Sequence, residues 1–287
     1  MAIKSILVPV GGGGGESDLA LALLLGRRLG ARVTALHAVP DSGESIPYLT
    51  VGLTGRAVDQ LIDEIENELA AETVRANTAF AAACAAAGVT PVEGFAGPGF
   101  AARFLSATGN VEQLLVAQGR AHDLIVMSCP GETDPARLPV LQAALMESGR
   151  PVLFAPPTLP ESFASRVVLA WNGSIEAARA LSLAAELAAD AERIVAVSIG
   201  EPGRAEMGPG PETAVDYLAA HGLAAETRVL APSSKPIAEA LLRAIDDERA
   251  DLLVMGAYSH SRLRETILGG VTRDILANLE LPVLMVH

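Results

Sequence analysis

Short aliphatic and β-branched runs alternate along this chain with longer stretches of helical period. Runs such as Ile6-Leu7-Val8-Pro9-Val10 and Leu252-Leu253-Val254-Met255 are continuously apolar, as strands covered on both faces require. In the second half the pattern predicts strands near 166–171, 193–199, 225–230, 251–255 and 282–286; in the first half, near 4–10, 32–39, 101–107, 123–127 and 151–155. Helices fill the gaps, one of them from Glu16 to Leu29. A second helix carries Val58, Leu61, Ile62, Ile65 and Leu69 on one face and Asp63, Glu64, Glu66 and Glu68 largely on the other, so its acidic run reads as a solvated surface. This alternation predicts an α/β fold with parallel sheets and helices on both faces. Residues 88–100, GVTPVEGFAGPGF, read as an insertion of unassigned conformation before the third strand.

The pattern also repeats. Ile6-Leu-Val-Pro-Val-Gly-Gly returns as Val167-Val-Leu-Ala-Trp-Asn-Gly, Asp123-Leu-Ile-Val-Met as Asp251-Leu-Leu-Val-Met, and Arg150-Pro-Val-Leu-Phe as Leu281-Pro-Val-Leu-Met. Two copies of one domain follow, residues 1–157 and 158–287, joined by the proline-rich segment 156–162. The 287 residues suffice for two such cores.

Charge narrows the partners. The formal net charge is −13, with ten Lys/Arg against sixteen Asp/Glu in residues 1–157 and eleven against eighteen in 158–287. Neither half offers the basic surface that binding to a nucleic-acid backbone requires. No apolar run reaches the length of a membrane span, and MAIKSILVPV lacks the charged and apolar regions of an export signal. Cys84 and Cys129 have neither metal-ligand spacing nor a disulfide framework. A soluble cytoplasmic protein is expected, without membrane or nucleic-acid partners.

Candidate chemistry is concentrated in GAYSHSRLRETILGGVTRDIL, residues 256–276, which leads from an apolar strand to a helix start. Gly269-Gly270 before Val271-Thr272 suits close approach of backbone N–H groups to an anion, with the helix dipole assisting. The ILVPV strand followed by glycines, the GVTRDIL helix start, the terminal PVLMV and the duplication together resemble a tandem universal stress protein, over nearly the whole chain. The resemblance implies two five-stranded parallel units of order 3-2-1-4-5 in a pseudo-dimer, with the fifth strands side by side. It also implies stress-response function and binding of ATP, ADP or AMP, with or without Mg2+. The family's phosphate motif is Gly, two residues, Gly, nine residues, then Gly followed by Ser or Thr. Gly256 and Gly269 match it, whereas Ser259 stands at the middle glycine and Gly270 at the Ser/Thr position. Asn172, followed by Gly173, falls where the family often has an Asp near the adenosine. Ile199 falls where backbone meets adenine.

Read without the family, Asn172-Gly173-Ser174 is a turn and helix cap, and Arg262 and Arg264 are loop charges. In the first copy the aligned Asp position is Gly11, and Ser128-Cys129-Pro130-Gly131 has no recoverable phosphate motif. That copy reads as a structural or regulatory partner, and Gly11–Gly15 as a connector. Of His37, His122, His221, His260 and His287, only His260, beside Ser259, is a ligand candidate. The absence of a Walker-type lysine argues against rapid phosphoryl transfer. The expectation is a nucleotide-binding switch using the second copy, acting on an unknown protein partner as a monomer with an internal two-fold or as a homodimer. The alternative is a ligand-free interaction protein of the same fold.

Overall fold

The computed structural model describes residues 2–11, 16–41, 55–128, 138–200, 204–205, 208–231, 236–257, 270–278 and 280–287. Contacts divide the chain into two compact units, Ile3–Val126 and Met127–His287. This division by contact is a different quantity from the repeat boundary expected at 157/158.

In the first unit, β1 (Ser5–Val10), α1 (Glu16–Leu29), β2 (Arg32–Val39), α2 (Arg56–Ala86), β3 (Ala101–Thr108), α3 (Val111–Gly119) and the start of β4 (Leu124–Ser128) follow one another. The strands lie parallel in the order β4-β1-β2-β3. Ile6, Leu7, Val8, Leu124, Ile125 and Val126 have no solvent exposure, which is why their sequences lack polar alternation. The helices α1 and α2 pack together, while α3 packs on β1 and β2. Phe80 of α2 is buried, as is Cys84, whose thiol burial pushes up to about 11.

The insertion has a defined place on this unit. Val92 N–H donates to Ala102 O at the start of β3. The guanidinium groups of Arg32 and Arg103 both lie over the Phe95 ring, 5.1 and 4.8 Å from its centre, and Arg32 also donates through Nε and Nη2 to Gly97 O at 3.0 and 2.6 Å. Cation–π contacts and two charged hydrogen bonds thus hold a segment that has no regular backbone pattern of its own.

The second unit contains α4 (Leu138–Glu147), β5 (Val152–Ala155), β6 (Arg166–Ala170), α5 (Ile175–Leu187), β7 (Arg193–Ile199), a short hairpin of β8 (Arg204–Ala205) and β9 (Gly208–Pro209), α6 (Glu212–Ala220), β10 (Glu226–Leu230), α7 (Ile237–Glu248), β11 (Leu252–Gly256), α8 (Gly270–Ala277) and β12 (Val283–Val286). Its parallel strands run β10-β7-β6-β11-β12, the 3-2-1-4-5 order. Beyond β12 lies β5, antiparallel to it, with Val283 opposite Phe154 and Met285 opposite Val152, so the two proline-led fifth strands lie side by side as expected. The apolar edge of β12 is thereby paired. The contacts α5–α6 and α7–α8 group the helices into two pairs, as the reversal of strand order at β6/β11 demands.

In both units an aspartate sits at the foot of the fourth strand. Asp123 N–H donates to Ser5 O, and its carboxylate accepts from Lys4 N and Ser5 N at 2.9 and 3.0 Å. Asp251 N–H donates to Arg166 O, and its buried carboxylate accepts from Arg166 N at 2.8 Å, Ser165 N at 3.1 Å and the Ser162 hydroxyl. The repeated Asp therefore locks the first strand to the fourth. Replacing Asp251 by Ala should lower unfolding stability by roughly 2–4 kcal/mol, since buried N–H donors lose a charged acceptor. Urea unfolding of the variant against the native chain measures this, and an unchanged midpoint would contradict it.

At the same end of the second unit, the two oxygens of Glu248 accept from Arg193 Nε at 2.8 Å and Arg228 Nη1 at 3.1 Å. The hydrogen bond from Arg193, supported by Arg228, holds the Glu248 carboxyl below its ordinary 4.5. A carboxyl depressed in the folded state contributes stability that is complete above the unfolded value and vanishes as pH falls through the folded one. Native protein should therefore exceed Glu248→Gln in stability at pH 7, and the gap should close as pH drops below 4.5. Urea midpoints across that range provide the check.

Candidate functional site

The carboxyl ends of β6, β7 and β11 meet where the order of the second unit's sheet reverses, the usual position of a ligand crevice in an open α/β sheet. Register sets the rim: Ala170 lies abreast of Val197 on one side and Met255 on the other. Beyond those positions come Trp171, Asn172 and Gly173 after β6, Ser198 and Ile199 ending β7, and Gly256 ending β11. Val286 of β12 is level with Gly256.

The turn after β6 is built by its own side chains. Asn172 Oδ1 accepts from Ser174 N–H at 3.1 Å, Gly173 takes φ +77°, and the buried Ser174 Oγ accepts from Ala177 N–H at 3.1 Å. Ser174 is thus the N-cap of α5. The turn and cap expected from the residues alone are both present, and one acceptor position of Asn172 is used within the chain.

Gly256 has a packing role that sequence reasoning did not anticipate. A Cβ there would lie 2.6 Å from Ala177 N and 2.8 Å from Glu176 Cβ. The first turn of α5 therefore rests on the end of β11, an approach only glycine permits. By contrast, a Cβ on Gly270 would meet nothing within 4 Å. Gly270 opens α8 at an exposed position, with Val271 half-buried and Thr272 buried in the first turn. A helix N-terminus offers backbone N–H donors and the positive end of the helix dipole. Ser259, His260 and Gly269, together with Arg262 and Arg264, lie outside the described residues.

Two features near the Asn172-Gly173 turn escaped the sequence reading. The indole of Trp171 donates to Pro209 O at 2.9 Å, and a Cβ on Gly208 would come within 3.1 Å of Gly173 O. The hairpin β8–β9 therefore lies against the Asn172-Gly173 turn. A second feature is the Ser198 hydroxyl, the one buried side-chain polar atom without a hydrogen-bond partner among the described residues. Only the exceptional Trp in an aliphatic strand end gave a sequence signal.

At the corresponding rim of the first unit, Gly11 (φ +87°) faces the His37 ring: a Cβ would lie 2.6 Å from His37 Nδ1 and 3.6 Å from Glu72 Oε1. His37 is buried, with Nδ1 3.2 Å from Val10 O and Nε2 3.1 Å from Thr73 Oγ1. Its imidazole takes the space beside Gly11. Gly12–Gly15 and the expected degenerate phosphate segment from Cys129 onward lie outside the described residues. Elsewhere His122 bonds Gln118 O, His221 bonds Tyr217 O, and His287 bonds Ala257 O. Among the described residues no cluster of His, Cys, Asp or Glu is arranged to hold a metal ion, and no helix is long and apolar enough to cross a membrane.

The model of the Universal stress protein family matches residues 164–287. This match covers the second half of the chain from the end of its linker to His287. A universal stress protein of Synechocystis sp. is 29% identical over 171 residues, 56% of this chain, and the match spans 57% of that relative's length. The crystal structure of a universal stress protein from Archaeoglobus fulgidus DSM 4304 aligns over 98% of this chain and 95% of its own, with TM-score 0.68 and 16% identity. A putative universal stress protein from Pseudomonas aeruginosa UCBPP-PA14 aligns over 99% and 93%, with TM-score 0.56 and 16% identity. These two likenesses concern the fold and span both halves of the chain.

Within the residues that match the family model, the tight seat of α5 on Gly256 sets the rim's shape. Gly256→Ala should cost about 1–3 kcal/mol, because the clashing atoms are backbone and cannot rotate away. Thermal unfolding is the measurement, and a variant as stable as the native chain would remove the packing role.

Proposed function

We propose that the second repeat, residues 158–287, binds an adenine nucleotide with its phosphates at the start of α8 and its adenosine toward Asn172, Gly173 and Ile199. The observation that carries this reading is the open, glycine-started helix N-terminus at Gly270–Thr272 on the crevice side of a universal stress protein domain. Gly256 contributes by letting α5 approach, which shapes the crevice, and the motif residues Ser259, His260 and Gly269 complete the phosphate side. Binding changes the 256–270 connection and so the surface offered to a protein partner in the stress response, in the cytoplasm. Nucleotide turnover stays below about one per second, the lower end of ordinary enzyme rates, because no lysine clamp accompanies the loop.

The alternative, a ligand-free interaction protein, draws support from a specific observation. Gly256 is accounted for by helix packing, and the hairpin at Gly208-Pro209 lies against the adenosine-side turn.

Titration calorimetry with ATP, ADP and AMP, each with and without MgCl2, separates the two readings. One site per chain is expected. Gly270→Val should weaken binding at least tenfold with an unchanged melting temperature, since the side chain enters open space in the protein but obstructs a phosphate. No heat of binding at millimolar nucleotide would favour the alternative, and phosphate release faster than about one per second would make the protein an ATPase.

A further inference from the structure

The insertion at the foot of the first unit brings together two cations that no acid balances. Arg32 opens β2 and Arg103 lies in β3, with Arg32 abreast of Ala101 and Thr34 abreast of Arg103. Residues two apart on a strand, and their partners across it, share a face, so both side chains leave the sheet on the same side. Both guanidinium groups then lie over the Phe95 ring, 5.1 and 4.8 Å from its centre, which puts them within about 10 Å of one another and close enough to repel. Among the described residues neither has a carboxylate within ion-pair distance. Glu93, the only acid of residues 88–100, pairs with neither.

The remaining donors are held in place and unused. Arg32 donates through Nε and Nη2 to Gly97 O at 3.0 and 2.6 Å, and Arg103 donates through Nε to Thr34 Oγ1 at 3.3 Å. Arg32 Nη1 and both Nη groups of Arg103 have no acceptor among the described residues. The exposed N–H groups of Gly94, Ala96, Gly97 and Gly99 likewise have none. A Cβ on Gly94, Gly97 or Gly99 would meet nothing within 4 Å, so the outer side of this loop is open.

We propose that Arg32, Arg103 and the loop 94–99 form a binding site for a phosphate-class dianion, either the free ion or the phosphate of a small ester. Two guanidinium forks match two negative charges and the spacing of phosphate oxygens, and clustered backbone N–H groups are the donors that line anion-binding concavities. The ring and Gly97 O fix one fork, and the ring and Thr34 fix the other, so little side-chain freedom is lost on binding. A chain of net −13 has acids in excess, and two adjacent cations left without one mark this place on it. The donors face solvent, which sets the affinity in the millimolar range. This site belongs to the first unit and does not depend on nucleotide binding by the second.

Titrating the 15N-labelled full chain with sodium phosphate, from about 0.5 to 50 mM against sodium chloride of equal ionic strength, tests the site. The amide signals of Gly94, Ala96, Gly97 and Gly99 and the Nε–H signals of Arg32 and Arg103 should move together with one midpoint, whatever happens at Gly270–Thr272. Arg103→Gln should raise that midpoint at least tenfold. Arg103→Lys, which keeps the charge and loses the fork, should raise it at least twofold and decides the matter if the Gln variant displaces the Gly97 amide in chloride. Acetate, with one charge, should bind at least fivefold more weakly than phosphate. Equal binding of methyl phosphate extends the site to esters, and binding of phosphate alone limits it to the free ion. Shifts no larger than those in chloride, acetate binding as tightly as phosphate, or a midpoint that the Arg103 variants leave in place would overturn the proposal.

Discussion

The hydrogen-bonded aspartates at the feet of the fourth strands are the constraint from which the rest of each unit follows. Asp123 and Asp251 exchange backbone and side-chain hydrogen bonds with the residues that begin β1 and β6. This ties together two strands that are far apart in sequence and diverge in their connections, one leading left across the sheet and the other right. Once their lower ends are locked in register, their upper ends must emerge side by side. The crevice at the carboxyl ends inherits its geometry from a contact at the opposite end of the sheet, transmitted through strands with no solvent exposure and little freedom to shift.

The crevice of the second unit shows how few residues then decide its form. Gly256 admits the first turn of α5, and Ser174 caps that turn, so the helix start is fixed from below and from its own end. Trp171 leaves the strand and anchors the hairpin at Pro209. Across the chain, the rim of the first unit is filled by His37 instead, a buried ring held between a carbonyl and a hydroxyl. Two repeats with the same strand order thus present different rims because different side chains reach the same level of the sheet.

Much of this architecture was legible along the chain because its causes are local or periodic. Uninterrupted apolar runs could only be strands with both faces covered, and the matching Asp-Leu-(Ile/Leu)-Val-Met segments marked equivalent positions in two repeats. Strand limits agree with the apolar pattern to within about a residue. The pairing of β5 with β12 was expected from two similar proline-led strands and is present. The turn at Asn172-Gly173-Ser174 was readable because the side chain, the glycine and the cap all act within five residues.

What remained hidden depends on groups that meet only after folding. No spacing rule says that Gly256 faces the backbone of Ala177, that the Arg32 guanidinium lies over the Phe95 ring, or that His37 fills the space beside Gly11, since these partners are far apart in sequence. Sequence by itself determined the main strands and helices, the parallel character of the sheet and the similarity of the two halves, because backbone hydrogen bonding and the burial of periodic apolar faces leave few alternatives, while the strand order was what the family resemblance implied. Tertiary structure alone decided why particular glycines are required and which side chains occupy each rim. Steric exclusion acts over a few tenths of an ångström between distant segments, and a one-dimensional pattern carries no such distance.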